Sequence, residues 1–339
     1  MGIRRICVFG AGAVGGHIAA KLAAAGHEVA AIARGAQLEA LKAGGIALRE
    51  GERTYAGRVR ASDRAADLGA QDVVFVTTKA TALGALAPAA AQLSHERTVF
   101  VFVQNGIPWW YAQGIDGARG RSRPRPPDLQ RLDPGGALAR ALAPGSVIGA
   151  VVYSSNDLAS PGKVQNYSVG RNMLVLGETD DRCSPRVGEL RALLDAAGMA
   201  SPPTADIRAA VWDKLIINFG SSLCVPLGEP IAALLEDPRL RATRERLFAE
   251  GRAIARAHGV DPDAAPRRPG GTGQTTPGSA QHKPSMLQDY EAGRPMEIEA
   301  ILAVPCAFAR AAGVEAPALE SLTALAARLA ARKGLYSPA

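Results

Sequence analysis

One short stretch constrains this chain more than any other. Gly10-Ala11-Gly12-Ala13-Val14-Gly15 follows directly on the apolar run Ile6-Cys7-Val8-Phe9 and precedes a helix-like segment, Ile18 to Ala25, that Gly26 is placed to end. Glycines at this spacing have separate mechanical tasks: a tight turn, close approach of backbone to a pyrophosphate, and tight packing of helix on strand. The helix start that follows offers unpaired N–H groups to phosphate oxygens. Arg4-Arg5 before the apolar run imitates a signal peptide, but the run is soon broken by glycines, His17 and Lys21, so it reads as a first buried strand.

The remaining pattern supplies the context that a glycine loop needs. Strand signals recur at Val29 to Ala33, Ile46 to Arg60, Asp72 to Thr78, Thr98 to Gln104, Val147 to Tyr153, Gly162 to Ser168 and Met173 to Gly177, with helix-like sequence at 38–43 and 82–93. Strands alternating with helices predict a parallel sheet covered on both faces, and a run such as Val73-Val74-Phe75-Val76 suits a strand buried on both sides. After Ser201-Pro202-Pro203 the texture turns helical, over 206–223, 239–258, 296–312 and 317–332, broken by a Pro/Gly/Ser/Thr-rich stretch at 262–284. The plan is an α/β domain over 1–202 and a helical domain over 203–339, with no internal repeat. Residues 114–136, carrying Arg119, Arg121, Arg123 and Arg125, read as a basic, proline-containing surface insertion in extended or mobile form.

Composition removes whole classes. At 47% hydrophobic and 21% charged residues the chain is globular rather than disordered. Its four cysteines are scattered with no CxxC pair, which excludes a disulfide scaffold or zinc ribbon and fits a reducing, cytoplasmic setting. The five histidines show no ligand spacing, so no metal is expected. No stretch reaches the roughly 18 apolar residues of a membrane helix. The net charge of +7 suits an anionic ligand, while arginines without interleaved aromatics or a recognised motif argue against nucleic acid.

The second strand discriminates between cofactors. A site selective for NAD places an acid at its end, and here it reads Ala30-Ala31-Ile32-Ala33-Arg34. An arginine there can pair with a 2′-phosphate, which predicts NADPH/NADP+. Further polar groups stand at the ends of elements: Thr77-Thr78-Lys79 and Gln104-Asn105-Gly106 after two strands, and Ser285-Met286-Leu287-Gln288-Asp289 leading to Glu297 at a helix start. Lys214 and Asn218, four apart in Trp212-Asp213-Lys214-Leu215-Ile216-Ile217-Asn218, share one helix face in an apolar neighbourhood. A half-buried lysine there is expected to have its pKa pushed down, as a general acid working near neutral pH requires.

This set of segments, in this order over nearly the whole chain, resembles the ketopantoate reductase (2-dehydropantoate 2-reductase) family. The resemblance implies a Rossmann-type domain plus an all-helical C-terminal domain like that of 6-phosphogluconate dehydrogenases, with the active site between them. It implies NADPH-dependent reduction of a 2-oxo acid, ketopantoate, to pantoate for pantothenate and coenzyme A. By the same resemblance Lys214 is the proton donor and Glu297 the acid on the cofactor or substrate side. The loop Gly10, Ala11, Gly12, Ala13, Val14 and Gly15, with Arg34, Lys79 and Asn105, would contact the cofactor. Asn105, Lys214, Asn218 and Ser285 would hold the substrate. The family's second asparagine is here Ser222, and a further one falls near Ala232, so the substrate-side amides are thinned. That leaves two alternatives: an NADP-dependent reductase of a different 2-oxo acid, and a non-catalytic NADP-binding regulator. Monomer and homodimer are both compatible with the apolar faces of helices such as 317–332.

Overall fold

The computed structural model describes residues 2–115, 123–143, 145–267 and 283–337. Among them the chain forms two compact units. One is built chiefly from Met1–Gln104 and Asp133–Ile207, the other from Asn105–Leu132, Arg208–Ala265 and the C-terminal stretch.

The first unit holds eleven strands. They are β1 (Ile6–Phe9), β2 (Val29–Ile32), β3 (Ile46–Glu50), β4 (Arg53–Gly57), β5 (Arg60–Ser62), β6 (Val73–Val76), β7 (Val99–Phe102), β8 (Val147–Val152), β9 (Asn156–Ser160), β10 (Lys163–Asn166) and β11 (Leu174–Glu178). Seven make the main sheet in the order β11-β8-β7-β6-β1-β2-β5, parallel throughout except that β11 runs against β8. Strands β1, β2, β6 and β7 are buried at every position, as their unbroken apolar runs require.

The other four strands form a second sheet, β4-β3-β10-β9, which the sequence reading does not separate from the first. The predicted stretch 46–60 is in fact a β3–β4 hairpin in this sheet followed by an edge strand of the main one. The predicted strand at 162–168 is β10, and its partner β9 has too polar a sequence to signal a strand. This sheet packs on helix α1 (Ala13–Ala24). A Cβ at Gly16 would come within 2.7 Å of Val164 Cγ2, so glycine there admits the close approach. As a result Gly15 to Leu22 are all buried, including His17 and Lys21.

Elsewhere the reading needs three adjustments. The predicted helix at 82–93 is a 3₁₀ turn, Ala80–Ala85, followed by the α-helix Ala87–Leu93. The stretch 114–136 lies largely at the surface where it is described, as read, but it is anchored at points: Arg123 is buried and donates from Nε to the Gly259 carbonyl, and Asp133 accepts the N–H groups of Leu138 and Ala139. Arg125 is exposed, while Arg119 and Arg121 lie outside the described residues, as do residues 268–282 of the 262–284 stretch. The boundary drawn at 202 also differs from the observed division, because Asn105–Leu132 belongs to the second unit.

That last difference has a clear cause. Arg208, fully buried, donates from Nε to the Tyr111 carbonyl and from its terminal nitrogen to the carbonyls of Tyr111 and Gln113. Trp212 Nε1 donates to Tyr111 Oη at 2.8 Å, and the Phe308 ring meets Tyr111 and Trp212 edge-on. These charge-assisted and aromatic contacts fix Tyr111 in the helical core. All regular structure described after residue 203 is helical, chiefly Ile207–Ser222, Pro238–Ala257, Ser285–Glu291, Val304–Ala311 and Pro317–Arg332. Gly251 allows two of these helices to touch, since a Cβ there would lie 2.7 Å from Ile216 Cγ1.

Candidate active site

The glycine loop sits at the carboxyl end of β1, where sheets of this kind bind ligands. Gly10 adopts φ +102° and packs under Thr78, whose Cγ2 would lie 2.6 Å from a Cβ on it. Gly15 is hemmed in by the Gly10 carbonyl, Thr77 Oγ1 and Val8 Cγ1, all within 3 Å of where a Cβ would stand. Gly12 is different, for a Cβ there would meet nothing within 4 Å. The first bond of α1 runs from Gly16 N–H to the Gly12 carbonyl at 2.7 Å, so the amides of Ala13, Val14 and Gly15 precede the helix ladder. Open space at Gly12 above three helix-start amides is a cradle that fits a pyrophosphate.

Two supports of this loop are read only from the structure. Thr77 Oγ1 donates to the Gly10 carbonyl at 2.7 Å. Gln37, on helix α2 (Gly35–Gly44), donates from Nε2 to the Ala11 carbonyl at 2.7 Å and accepts the Gly162 N–H on Oε1 at 2.8 Å. Its sequence signal is nil, since glutamine is ordinary on an exposed helix. Arg34 is exposed at the N-cap position of α2 immediately after β2, and neither β2 nor the residues directly after it carry an acid. That donor set fits a nucleotide bearing a 2′-phosphate.

Lys79 is half-buried and begins the 3₁₀ turn after β6. Beside it, Gln104 Nε2 donates to the carbonyls of Val76 and Thr78, which fixes the amide at the end of β7. Gln104 Oε1 and Thr78 Oγ1 are buried without a hydrogen-bond partner, a cost that a bound ligand can remove.

In the helical unit, Asn105 is half-buried and precedes Gly106, which has φ +82°. Lys214 and Asn218 lie on Ile207–Ser222, a helix buried on every side except one stripe: Asp213, Lys214, Ile217, Asn218 and Ser221. This spacing is one face of an α-helix, and it is where the lysine and the amide stand. Asn218 Nδ2 is buried without a hydrogen-bond partner. Ser222, in contrast, is buried and turns its hydroxyl back to the Asn218 carbonyl at 2.7 Å. Glu297 is buried just before a helix, its carbonyl accepting the Ile301 N–H, and Ser285 is the exposed first residue of Ser285–Glu291. Thiol chemistry has no place in the cores, because burial pushes the Cys7 and Cys224 thiols up to about 12. Among the described residues no cluster of histidine, cysteine and carboxylate could hold a metal ion, and no helix is long and apolar enough to cross a membrane.

The parallel sheet and the glycine cradle define a dinucleotide-binding protein of the Rossmann type. Comparison with known proteins narrows this. Residues 6–108 match the model of the family described as ketopantoate reductase PanE/ApbA, and residues 206–330 match that of its C-terminal domain. The chain belongs to the ketopantoate reductase family, and so to the oxidoreductases acting on a CH–OH/C=O pair. A 2-dehydropantoate 2-reductase of Mesorhizobium japonicum is 38% identical over 336 residues, which is 98% of this chain and 100% of that relative. A solved structure assigned as a ketopantoate reductase of Ralstonia solanacearum is 35% identical with a TM-score of 0.82, covering 98% of this chain and 100% of the other. The 2-dehydropantoate 2-reductase of Geobacter metallireducens is 25% identical with a TM-score of 0.76, covering 96% and 99%.

Proposed function

We propose that this chain is an NADPH-dependent 2-dehydropantoate 2-reductase, making pantoate for pantothenate and coenzyme A. The observation that carries the reading is the single accessible stripe of an otherwise buried helix, occupied by Lys214 and by an Asn218 amide that lacks a hydrogen-bond partner. When bound, the reduced nicotinamide supplies the hydride for C2 of the 2-oxo acid. The amides of Ala13, Val14 and Gly15 hold the pyrophosphate, Arg34 pairs with the 2′-phosphate, and Lys79 and Asn105 contact the rest of the nucleotide. Lys214 stabilises the charge developing on the ketone oxygen and gives it a proton. Asn218 donates from Nδ2 to the substrate, Ser285 adds a hydroxyl, and Glu297 supplies the acid that orients cofactor or substrate.

The test is reduced-nicotinamide oxidation with ketopantoate, running NADPH and NADH side by side. Turnover with NADPH is expected, falling by about 10²–10⁴-fold in Lys214→Ala. Tight NADPH binding with no turnover of ketopantoate overturns the substrate assignment. One observation favours a different 2-oxo acid as the second reading: the Ser222 hydroxyl is buried and bonded to its own helix, so it offers the substrate no replacement for an amide.

A further inference from the structure

The helix that begins after Glu297 changes register in its first turns. The Ile301 N–H donates to the Glu297 carbonyl at 3.0 Å, an ordinary i−4 bond. Three residues on, the Val304 N–H donates to the Glu299 carbonyl, an i−5 bond, and Glu299–Ala303 is a π-turn before the α-helix resumes at Val304–Ala311. The Ala300 carbonyl thereby loses its α-helical donor, since the Val304 N–H is committed to Glu299. Its donor in a π register would be residue 305, and Pro305 has no N–H.

The carbonyl is satisfied from outside the helix. Ile107 N–H donates to it at 2.8 Å. The chain reaches this position only through Gly106, whose φ is +82° and where a Cβ would lie 2.5 Å from both the carbonyl carbon and oxygen of Ala300. On the turn's other side Glu299 accepts the Tyr336 hydroxyl at 2.7 Å and pairs with Arg131 at 3.0 Å. Asn105 is the residue before Gly106, and Glu297 stands three residues before Ala300.

We propose that Pro305 and Gly106 are positioning residues of the reductase. Together they enforce the Ile107–Ala300 joint, and the joint fixes the spacing of Asn105 and Glu297. The inference rests on the roles given above to those two side chains. A π-turn is a poorer arrangement than the α-helix it interrupts, and such turns recur at functional sites. Relaxing it to an α register turns the preceding segment by about 100° and shifts it by about 1.5 Å relative to the helix beyond. Glu297 lies on that preceding segment.

The experiment compares Pro305→Ala, which restores a competing N–H, with Gly106→Ala, which forces the joint apart from its other side. Pro317→Ala, at the first turn of the helix Pro317–Arg332 and outside the π-turn and its joint, is the control. Three readouts are taken: amide hydrogen exchange of the ligand-free protein at Ile107, NADPH affinity, and kcat with KM for ketopantoate. Both variants are expected to exchange Ile107 at least about tenfold faster and to lose about tenfold or more in NADPH affinity or kcat, with the control unchanged. Unchanged exchange at Ile107 overturns the joint. Faster exchange with affinity and kinetics intact overturns the positioning role, as does an equal loss in Pro317→Ala or failure of both test variants to fold. If the wild-type protein does not turn over ketopantoate, the substrate reading falls alone, and Ile107 exchange and NADPH affinity still decide this one.

Discussion

Glu50→Gln should cost the first unit several kcal/mol, although residue 50 touches no part of the proposed nucleotide site. Lys21 on α1 is 2% exposed, and its Nζ lies 2.5 Å from Glu50 Oε2. At that separation the attraction is about 6–7 kcal/mol with an effective dielectric near 20. With its amide oxygen kept for the Asn172 Nδ2 and Gly170 N–H groups that Glu50 now accepts, the variant turns an NH2 donor toward Lys21 Nζ, so Lys21 loses both its counter-charge and its acceptor. Lys21 keeps the Tyr55 ring, 3.6 Å from its Nζ, in wild type and variant alike, so that contact does not enter the difference, whereas relaxation and water entry around the unpaired ammonium reduce it. The expected net loss is about 3–5 kcal/mol, the usual result of leaving one buried charge unpaired. For a unit of this size that is a fall of about 6–20 °C in Tm.

The assay is urea unfolding followed by far-UV ellipticity. Trp109, Trp110 and Trp212 all lie in the helical unit, so tryptophan fluorescence tracks that unit separately. Adding Lys21→Met to Glu50→Gln should recover at least half of the loss, because no buried charge is left. A loss below about 1 kcal/mol in the single variant, or a double variant no more stable than the single, would refute the reasoning.

Two other outcomes can be checked directly. Burial, and then the charge of Lys21, lower the His17 pKa from 6.5 to about 4. Between those values the unfolded chain binds a proton that the folded one does not, so stability is fully present above pH 6.5 and falls by about 1.4 kcal/mol per unit as the pH drops through the window. Glu50 adds to the same trend: burial pushes its carboxyl up, but the Lys21 bond and the Gly170 amide hold it below its ordinary value, so its contribution fades as the pH falls through that lowered value. His17→Gln should flatten the slope in urea titrations, and an unchanged slope counts against burial of a neutral imidazole. Separately, Arg34→Asp should weaken NADPH by about tenfold or more and bring NADH to parity or better, measured as kcat/KM; an unaltered preference removes Arg34 from the 2′-phosphate.

The sequence was most legible where one local rule decides the outcome. The runs Ile6–Phe9 and Val73–Val76 are strands because no other element buries four consecutive apolar residues between layers of helix, and the glycine loop follows from spacing alone. Lys214 and Asn218 share a face because an α-helix dictates it. What stayed hidden depends on partners far apart in the chain. Lys21 and Glu50 are 29 residues apart, and neither advertises a buried pair. Asn156–Ser160 is an edge strand with polar, exposed residues, so alternation has nothing to show. Arg208 draws Tyr111 and Gln113 into the helical unit across about a hundred residues, by carbonyl contacts that no side-chain pattern encodes. Nor does the periodicity of 296–312 reveal the π-turn.

Helix α1 has consequences for binding thermodynamics. A phosphate cradle on a loop must be immobilised by its ligand, and that ordering subtracts from affinity. Here the cradle opens a helix enclosed from Gly15 to Leu22 and pinned at its loop by Gln37 and Thr77, so its immobilisation is complete once the unit has folded. Nucleotide association at this end should therefore carry little entropic penalty from the protein, behaving as a preformed receptor rather than an induced one.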